Sequence, residues 1–244
     1  MKIIKAKDYV EMSRKAAYYI ADQVLLKPNS VLGLATGSTP LGTYQELIQL
    51  YQNGEVSFNQ VRSFNLDEYY SLGPDHPQSY RYFMDENFFN HVDVQPENTH
   101  VPDGLSPNPD AFSADYDRQI TNAGGIDLQL LGIGSNGHIA FNEPGNVFIA
   151  QTRLVDLKEH TIEDNARFFD SKDEVPRQAI TMGLKSILGA KRILILASGE
   201  NKADAVKAML EGPIDPNLPA SILQLHPNVT LIADEAALSK AGNR

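Results

Sequence analysis

The sequence predicts an α/β protein with an open, doubly wound, mostly parallel sheet and helices on both faces. Short apolar runs bounded by turn residues alternate with segments whose apolar residues recur at helical spacing. Polar turns, three of them containing glycine, follow several of those runs, as they do at the carboxyl ends of strands in open α/β sheets. With 244 residues and a hydrophobic fraction of 42%, the chain is long enough for one large domain.

The elements follow one another in a regular order. Helices are predicted over residues 8–26, 40–51, 79–89, 111–121 and 202–210. Strands are predicted over residues 31–35, 61–65, 126–133, 152–157, 179–182, 193–197 and 229–233. Pro40 suits the first turn of the second helix, with Thr39 as its N-cap. A Pro- and Asn-rich loop is expected at 95–109, and the polar segment 159–175 has no clear period. This succession predicts a single Rossmann-like domain over residues 1–244.

Composition excludes several classes of protein. The chain has 21 Lys and Arg against 31 Asp and Glu, a formal net charge of −10, which argues against a nucleic-acid or anionic-membrane surface. It has no cysteine, so disulfides and thiolate chemistry are unavailable. The N-terminus does not resemble a signal peptide, and no run approaches ~18 consecutive apolar residues. A cytoplasmic location is therefore expected.

The segment Leu128–Gly145, LQLLGIGSNGHIAFNEPG, organises the rest of the chain. A buried strand leads into a glycine-rich turn that carries Asn136, His138 and Glu143 close together, which favours a catalytic loop over a solvated histidine. The pattern G-x-G-x-x-G also matches a dinucleotide fingerprint. That interpretation requires a helix to begin at the glycines, and no helical period follows before Pro144-Gly145.

Three other turns carry candidate groups. Thr36–Thr39 lies between a strand and a helix start, so it is either an anion site or an ordinary capped helix, with about equal weight. Asp67 and Glu68 follow a strand end, where a catalytic carboxylate or a solvated turn acid would lie. Lys202 follows another strand near a helix start, as a phosphate contact or a surface lysine.

The sequence lacks the motifs of two further reaction types, metal-dependent hydrolysis and Ser-His-Asp catalysis. The six histidines show neither HExxH nor another metal-ligand spacing, and no GxSxG elbow is present. Acid–base chemistry by histidine and carboxylates on a phosphorylated small molecule remains.

Together these segments resemble the glucosamine/galactosamine-6-phosphate isomerase family, whose deaminases act in amino-sugar catabolism. The matching stretches are LGLATGSTPLGTY (33–44), SFNLDEYYSL (63–72), HPQSYRYFM (76–84), GIGSNGHIAFNEPG (132–145), NARFFD (165–170) and LQLHP (223–227). They run through nearly the whole chain, and NLDEY together with GHIAFNEP is highly specific. The related phosphogluconolactonases share the fold but lack this combination.

The resemblance implies conversion of glucosamine 6-phosphate and water to fructose 6-phosphate and ammonia, with no metal and no organic cofactor. Asp67 would move the proton from C2 to C1, His138 would open the pyranose ring, and Glu143 would hold or relay through that imidazole. Gly37, Ser38, Thr39 and Lys202 would bind the phosphate. Arg167 would reach the same phosphate from a mobile lid at 159–178.

One departure concerns Asn136, where some members carry aspartate. An amide oxygen still accepts an imidazole N–H but supplies no negative charge for imidazolium. A second departure is Val155, where regulated hexameric members carry a lysine that binds the activator N-acetylglucosamine 6-phosphate. Hyperbolic kinetics and a monomer or small homo-oligomer are therefore expected.

Three other interpretations stay open at this point. A sugar-phosphate-sensing regulatory domain would need a basic helix-turn-helix segment, which the acidic chain lacks. A catalytically dead sugar-phosphate binder would not need Asp67, His138 and Glu143. A lactonase or isomerase acting on another hexose phosphate would use the same kind of site. In each case the ligand is a small sugar phosphate, with no nucleic-acid or membrane partner.

Overall fold

The computed structural model describes residues 1–166, 169 and 171–242. Its strands are β1 (Lys2–Ala6), β2 (Val31–Leu34), β3 (Arg62–Asn65), β4 (Asp67–Tyr69), β5 (Thr99–His100), β6 (Leu128–Gly132), β7 (Arg153–Asp156), β8 (Gln178–Thr181), β9 (Arg192–Ala197) and β10 (Val229–Asp234). Its α-helices are α1 (Tyr9–Leu26), α2 (Ser38–Gln52), α3 (Tyr80–Asn87), α4 (Pro109–Asn122), α5 (Glu159–Asn165), α6 (Leu184–Leu188) and α7 (Ala203–Glu211). Short 3-10 helices include Pro96–Asn98, Lys172–Glu174 and Glu200–Lys202.

Seven strands form one sheet in the order β1-β10-β9-β6-β2-β3-β5, and every neighbouring pair is parallel. The chain moves in one direction across the sheet through α1 and α2, and in the other through α4 and α7. Because parallel crossovers are right-handed, opposite directions place these helix pairs on opposite faces. The predicted doubly wound α/β fold is confirmed, and the main sheet is wholly parallel.

The central strands are apolar because both of their faces are covered. β9 and β10 are buried along almost their whole length, and four of the five residues of β6 are buried. β1 was not predicted as a strand, since it lies at the sheet edge and only Ala6 is fully buried. β5, inside the predicted loop 95–109, has only two residues and carries too little pattern to detect.

A second sheet of three antiparallel strands lies beside the main one, in the order β4-β8-β7. It packs over a small apolar cluster that includes Tyr69, Phe141, Ile162 and Val175. The sequence predicted β7 and β8 as strands but not their separation from the main sheet, and β4 was read as a turn. The unassigned segment 159–175 contains α5, whose Ile162 is buried in this cluster.

A buried carboxylate anchors the amino end of β6, on the sheet edge away from the polar turns. Asp127 accepts from the Lys27 ammonium at 2.6 Å, the Lys191 ammonium at 2.7 Å and the Val31 N–H at 2.8 Å. Burial by itself would raise the pKa of Asp127, but these donors outweigh it and hold the pKa below the ordinary value.

We expect Asp127→Asn to lower the free energy of unfolding by about 2 kcal/mol at pH 7, because hydrogen bonds to a buried charge are lost. A lowered folded pKa stabilises the protein above the unfolded pKa, and the effect disappears as pH falls through the folded value. The difference between variant and parent should therefore shrink below about pH 4. Urea unfolding at several pH values measures it. Asp115→Asn is the control, since its pair with Arg118 is exposed and should contribute little.

Candidate active site

The predicted polar turns meet at one edge of the main sheet. β9, β6, β2 and β3 are consecutive and parallel, so their carboxyl ends lie side by side. The chain leaves β2 toward β3 but leaves β6 toward β9, and a crevice opens where the directions diverge. A cavity of about 410 Å³ occupies this place. Its lining includes six of the predicted site residues, Gly37, Ser38, Thr39, Asp67, His138 and Lys202.

The remaining predicted residues are placed differently. Asn136 and Glu143 are not among the residues that line the cavity, and they contact each other and His138 within the loop. Arg167 lies outside the described residues, so its predicted phosphate contact stays a prediction.

The turn after β2 is an open helix N-terminus. α2 begins at Ser38 with Gly37 as N-cap and no side-chain cap, which corrects the predicted start at Pro40 capped by Thr39. The reason is the backbone of Gly37, whose φ of 102° is readily available only to glycine and turns the chain into the helix earlier. The N–H groups of the first turn therefore face the cavity uncapped, and the helix dipole favours an anion there.

Asp67 is a buried carboxylate at the same cavity. It is the first residue of β4, it is only 6% exposed, and it borders the cavity. Burial, reinforced by the neighbouring Glu68, raises the pKa of Asp67 to about 8. A carboxylate of this basicity is a far better proton acceptor than one in water, and it suits general-base catalysis near neutral pH.

Glu68 performs a different task, which the sequence did not reveal. Its Oε1 accepts the N–H groups of Tyr69 and Tyr80 at 2.8 Å, and its Oε2 accepts that of Arg81 at 2.9 Å. Burial raises the pKa of Glu68 to about 7, and the three N–H donors act in the opposite sense. The carboxylate thus ties the start of α3, which borders the cavity, to the strand that carries Asp67.

The loop after β6 presents His138 to the cavity. The N–H of Gly134 donates to the His138 carbonyl at 2.9 Å, which closes the loop. A Cβ on Gly134 would lie 2.3 Å from the imidazole Nδ1, so only glycine allows the ring to fold over the backbone. As predicted, no helix begins within this loop, so the glycines do not form a dinucleotide-binding turn.

Glu143 and Asn136 support the histidine loop. Glu143 Oε1 lies 3.7 Å from His138 Nδ1, and Glu143 Oε2 accepts from Asn136 Nδ2 at 2.8 Å. The Asn136 oxygen accepts the backbone N–H of His138 at 3.1 Å, whereas the sequence predicted the ring N–H. Residue 136 therefore acts on the loop backbone and on Glu143.

Lys202 reaches the cavity from the turn after β9. Asp234, at the end of β10, accepts from the Ser198 hydroxyl at 2.5 Å and from the Gly199 N–H at 3.1 Å. These bonds hold the turn that leads to the 3-10 helix Glu200–Lys202. Asp234 was missed, although an acid directly after an apolar strand is a signal that sequence reading could have used.

An aromatic wall closes the cavity near Asp67. The Tyr69 and Tyr80 rings lie 4.9 Å apart, and Tyr80 stacks on Phe141 with centroids 6.1 Å apart. Burial raises the pKa of Tyr80 well above its ordinary value, which keeps the phenol neutral. Such a wall shields the Asp67 carboxylate from bulk solvent, and electrostatic interactions are stronger where little water is present.

An open helix N-terminus, a buried carboxylate and a carboxylate-backed histidine surround one cavity. These are the groups that an enzyme performing acid–base chemistry on a small anionic substrate would use. Among the described residues, no group of three or more His, Asp or Glu side chains is arranged to hold a metal ion. Within the same residues, no helix is both long and apolar enough to span a membrane.

The chain belongs to the family described as glucosamine-6-phosphate isomerases/6-phosphogluconolactonase, whose model matches residues 7–232. A relative from Halothermothrix orenii, named glucosamine-6-phosphate deaminase, is 56% identical over 239 residues, 98% of this chain and 99% of the relative. A protein of the same name from Lachnoclostridium phytofermentans is 57% identical over 232 residues, 95% of this chain and 98% of its own.

Solved structures agree with this assignment. One described as a monomeric glucosamine-6-phosphate deaminase superposes with a TM-score of 0.96 at 47% identity, covering 98% of this chain and all of the other. A 6-phosphogluconolactonase from Thermotoga maritima gives a TM-score of 0.75 at 22% identity, covering 96% of this chain and 99% of its own. The second likeness concerns the fold alone.

Proposed function

We propose that the protein converts glucosamine 6-phosphate and water to fructose 6-phosphate and ammonia. The observation that carries this proposal is the pairing of a buried base, Asp67, with the open N-terminus of α2 in one cavity. Asp67 suits removal of a proton from a carbon atom of the substrate, and the N-terminus of α2 suits binding of its phosphate group. Relatives named glucosamine-6-phosphate deaminase at 56% and 57% identity support the choice of substrate.

Asp67 acts at the carbon skeleton. In the open-chain aldose it takes the proton from C2. The electron pair of that bond forms the C1=C2 double bond of an enolamine, while the aldehyde oxygen at C1 takes a proton from the ammonium group of the substrate. The same carboxyl group then returns the proton to C1, which leaves an imine at C2. Water hydrolyses the imine to the ketose and ammonia, so the atoms of the overall reaction balance. The raised basicity of Asp67 and the aromatic wall around it favour the first step.

His138 acts at the ring oxygen. Opening the pyranose requires one proton to reach O5 and one to leave the C1 hydroxyl, and imidazole both gives and accepts protons near neutral pH. Glu143, 3.7 Å from Nδ1, would orient the ring and stabilise its charged form. Asn136 would hold Glu143 in place through its amide.

The phosphate would lie at the start of α2. Ser38 and Thr39 border the cavity there, where their N–H groups and hydroxyls would bind the phosphate, and Lys202 borders it from the turn after β9. Arg167 would bind the same phosphate from a mobile lid at 159–178. The protein would act in the cytoplasm, where an ionised sugar phosphate is retained because it cannot cross a membrane unaided.

An ammonia-release assay tests the reaction. Chelator-treated protein should form ammonia and fructose 6-phosphate from glucosamine 6-phosphate in equal amounts. Unphosphorylated glucosamine should have a kcat/KM lower by about 1000-fold or more, because several charge-assisted hydrogen bonds are lost. Equal use of the free sugar, or activity only on another hexose phosphate, would show that the substrate assignment is wrong.

We expect substrate saturation to be hyperbolic and unaffected by N-acetylglucosamine 6-phosphate. The Arg153 guanidinium donates to Asn142 at 3.0 Å, Val155 cannot bind phosphate, and Asp156 would repel it. Allostery needs a second site whose affinity differs between two states. A monomer or small oligomer is expected as well, in line with the similar deaminase described as monomeric.

Saturation curves with and without that sugar phosphate, together with light scattering, measure both properties. A sigmoidal curve that becomes hyperbolic when N-acetylglucosamine 6-phosphate is added would contradict the expectation. Val155→Lys is an informative companion, because a gain of response to N-acetylglucosamine 6-phosphate would locate the missing phosphate-binding group.

A further inference from the structure

The hydroxyl of Thr161 reaches the catalytic loop from a different part of the chain. Thr161 lies in α5, is only 4% exposed and borders the cavity. The next residue, Ile162, is buried in the small apolar cluster with Tyr69 and Phe141. The packing of Ile162 therefore fixes the turn of α5 that carries Thr161, and it orients the hydroxyl toward the interior.

That hydroxyl donates to Glu143 Oε1, the carboxylate oxygen that lies 3.7 Å from His138 Nδ1. Glu143 Oε2 is held at the same time by Asn136 Nδ2 at 2.8 Å. Each oxygen of the carboxylate thus has a donor, one from the loop itself and one from α5. Two donors on different oxygens determine the plane of a carboxylate, whereas one donor leaves it free to rotate.

We propose that Thr161 is a positioning residue for the deamination proposed above. Its hydroxyl orients Glu143 so that Oε1 faces the imidazole of His138, and the acid–base unit is complete only when α5 is packed in place. The inference rests on the proposed function, because it assigns His138 and Glu143 to ring opening. Thr161 itself need not contact the reacting atoms.

The charged surroundings of Glu143 do not replace this hydroxyl. Within the described chain, Lys158 donates to the Pro144 carbonyl, next to Glu143. Arg153 donates to Asn142, on the other side of Glu143. Both cations are committed to loop oxygens, and His138 is the titratable group that faces Oε1. The Thr161 hydroxyl is therefore the contact that α5 contributes to the carboxylate.

A double-mutant cycle with Thr161→Val and Glu143→Gln tests the proposal on glucosamine 6-phosphate. Valine keeps the shape but removes the donor, so kcat should fall by about 10-fold while KM changes by less than about twofold. Thr161→Ser keeps the hydroxyl and should recover most of the loss. In the Glu143→Gln background, Thr161→Val should have almost no further effect, because Thr161 acts through that carboxylate.

Two controls separate this role from a packing effect. Thr121→Val removes an exposed hydroxyl that donates within α4 and should leave kcat unchanged. The affinity for fructose 6-phosphate, measured by calorimetry, should be the same in Thr161→Val and the parent, which shows an intact fold. If valine disturbs the packing, Thr161→Ala supplies the same loss of the donor and should give the same coupling to Glu143.

Full activity of Thr161→Val, or an effect that multiplies with that of Glu143→Gln, would overturn the inference and leave the proposed function intact. Failure of the unmodified protein to release ammonia from glucosamine 6-phosphate would instead overturn the proposed function and this role with it.

Discussion

Asp67→Asn should lower kcat by about 1000-fold or more, because the variant has no group able to take the C2 proton. The cavity holds this carboxylate buried beside the aromatic wall, so bulk water cannot easily take its place. Exchange of the C2 hydrogen with solvent deuterium, followed by NMR, should be lost with turnover. The affinity for fructose 6-phosphate should remain, since the phosphate end of the cavity is unchanged.

The same substitution should stabilise the fold. The folded protein keeps the proton of Asp67 up to a pKa of about 8, whereas the unfolded chain releases it near the ordinary 3.8. The unfolded state binds fewer protons between these values, so stability falls as pH rises through that window. Asparagine does not ionise and avoids this loss. The variant should be more stable than the parent by about 2 kcal/mol at pH 8, with a smaller advantage at pH 5.

Asp22→Asn is the matched control, because Asp22 is an exposed acid on α1 away from the cavity. It should change neither C2 exchange nor the pH dependence of unfolding. Near-normal exchange in Asp67→Asn would mean that another group is the base. A variant less stable than the parent at pH 8 would mean that the buried carboxylate is stabilised by its surroundings.

His138→Gln should lower kcat/KM by about 100-fold or more, because glutamine cannot pass a proton between O5 and the C1 hydroxyl. The defect should shrink on the 5-deoxy analogue of glucosamine 6-phosphate, which lacks the oxygen that closes the pyranose. Steady-state rates on the two substrates measure the difference. C2 exchange on the analogue should continue, since Asp67 is intact.

His91→Gln is the control for this experiment, because His91 is exposed and bonds to the Glu86 carbonyl away from the cavity. An equal loss of activity on both substrates would place His138 in the enolisation step rather than in ring opening. Loss of fructose 6-phosphate affinity in His138→Gln would assign it a binding role.

Local pattern predicted most of the elements of this fold. The apolar runs at 193–197 and 229–233 are strands because their residues are covered on both faces, and that burial is visible as unbroken hydrophobicity. The helix over 8–26 was predicted equally well, from the helical spacing of its apolar residues. The edge strands β1 and β5 were not predicted, because short or half-exposed strands have a weak apolar pattern.

The start of helix α2 at the site was predicted wrongly for a different reason. Thr39-Pro40 is a good local start for a helix, but Gly37 takes a positive φ and begins α2 earlier. That choice leaves the first N–H groups uncapped and facing the cavity. The local sequence preference and the observed helix start disagree there, as is expected at functional sites.

The sequence by itself determined the chemical groups of this protein and their places at strand ends. Strand ends of a parallel sheet converge, so Asp67, His138 and Lys202 could be expected near one another before any distance was known. Only the tertiary structure decided what surrounds them. Glu68 bonds to α3, Asp234 to the Lys202 turn and Thr161 to Glu143, over 12 to 36 positions of sequence. Such contacts depend on how whole helices and strands pack against one another, and no local pattern of residues encodes that packing.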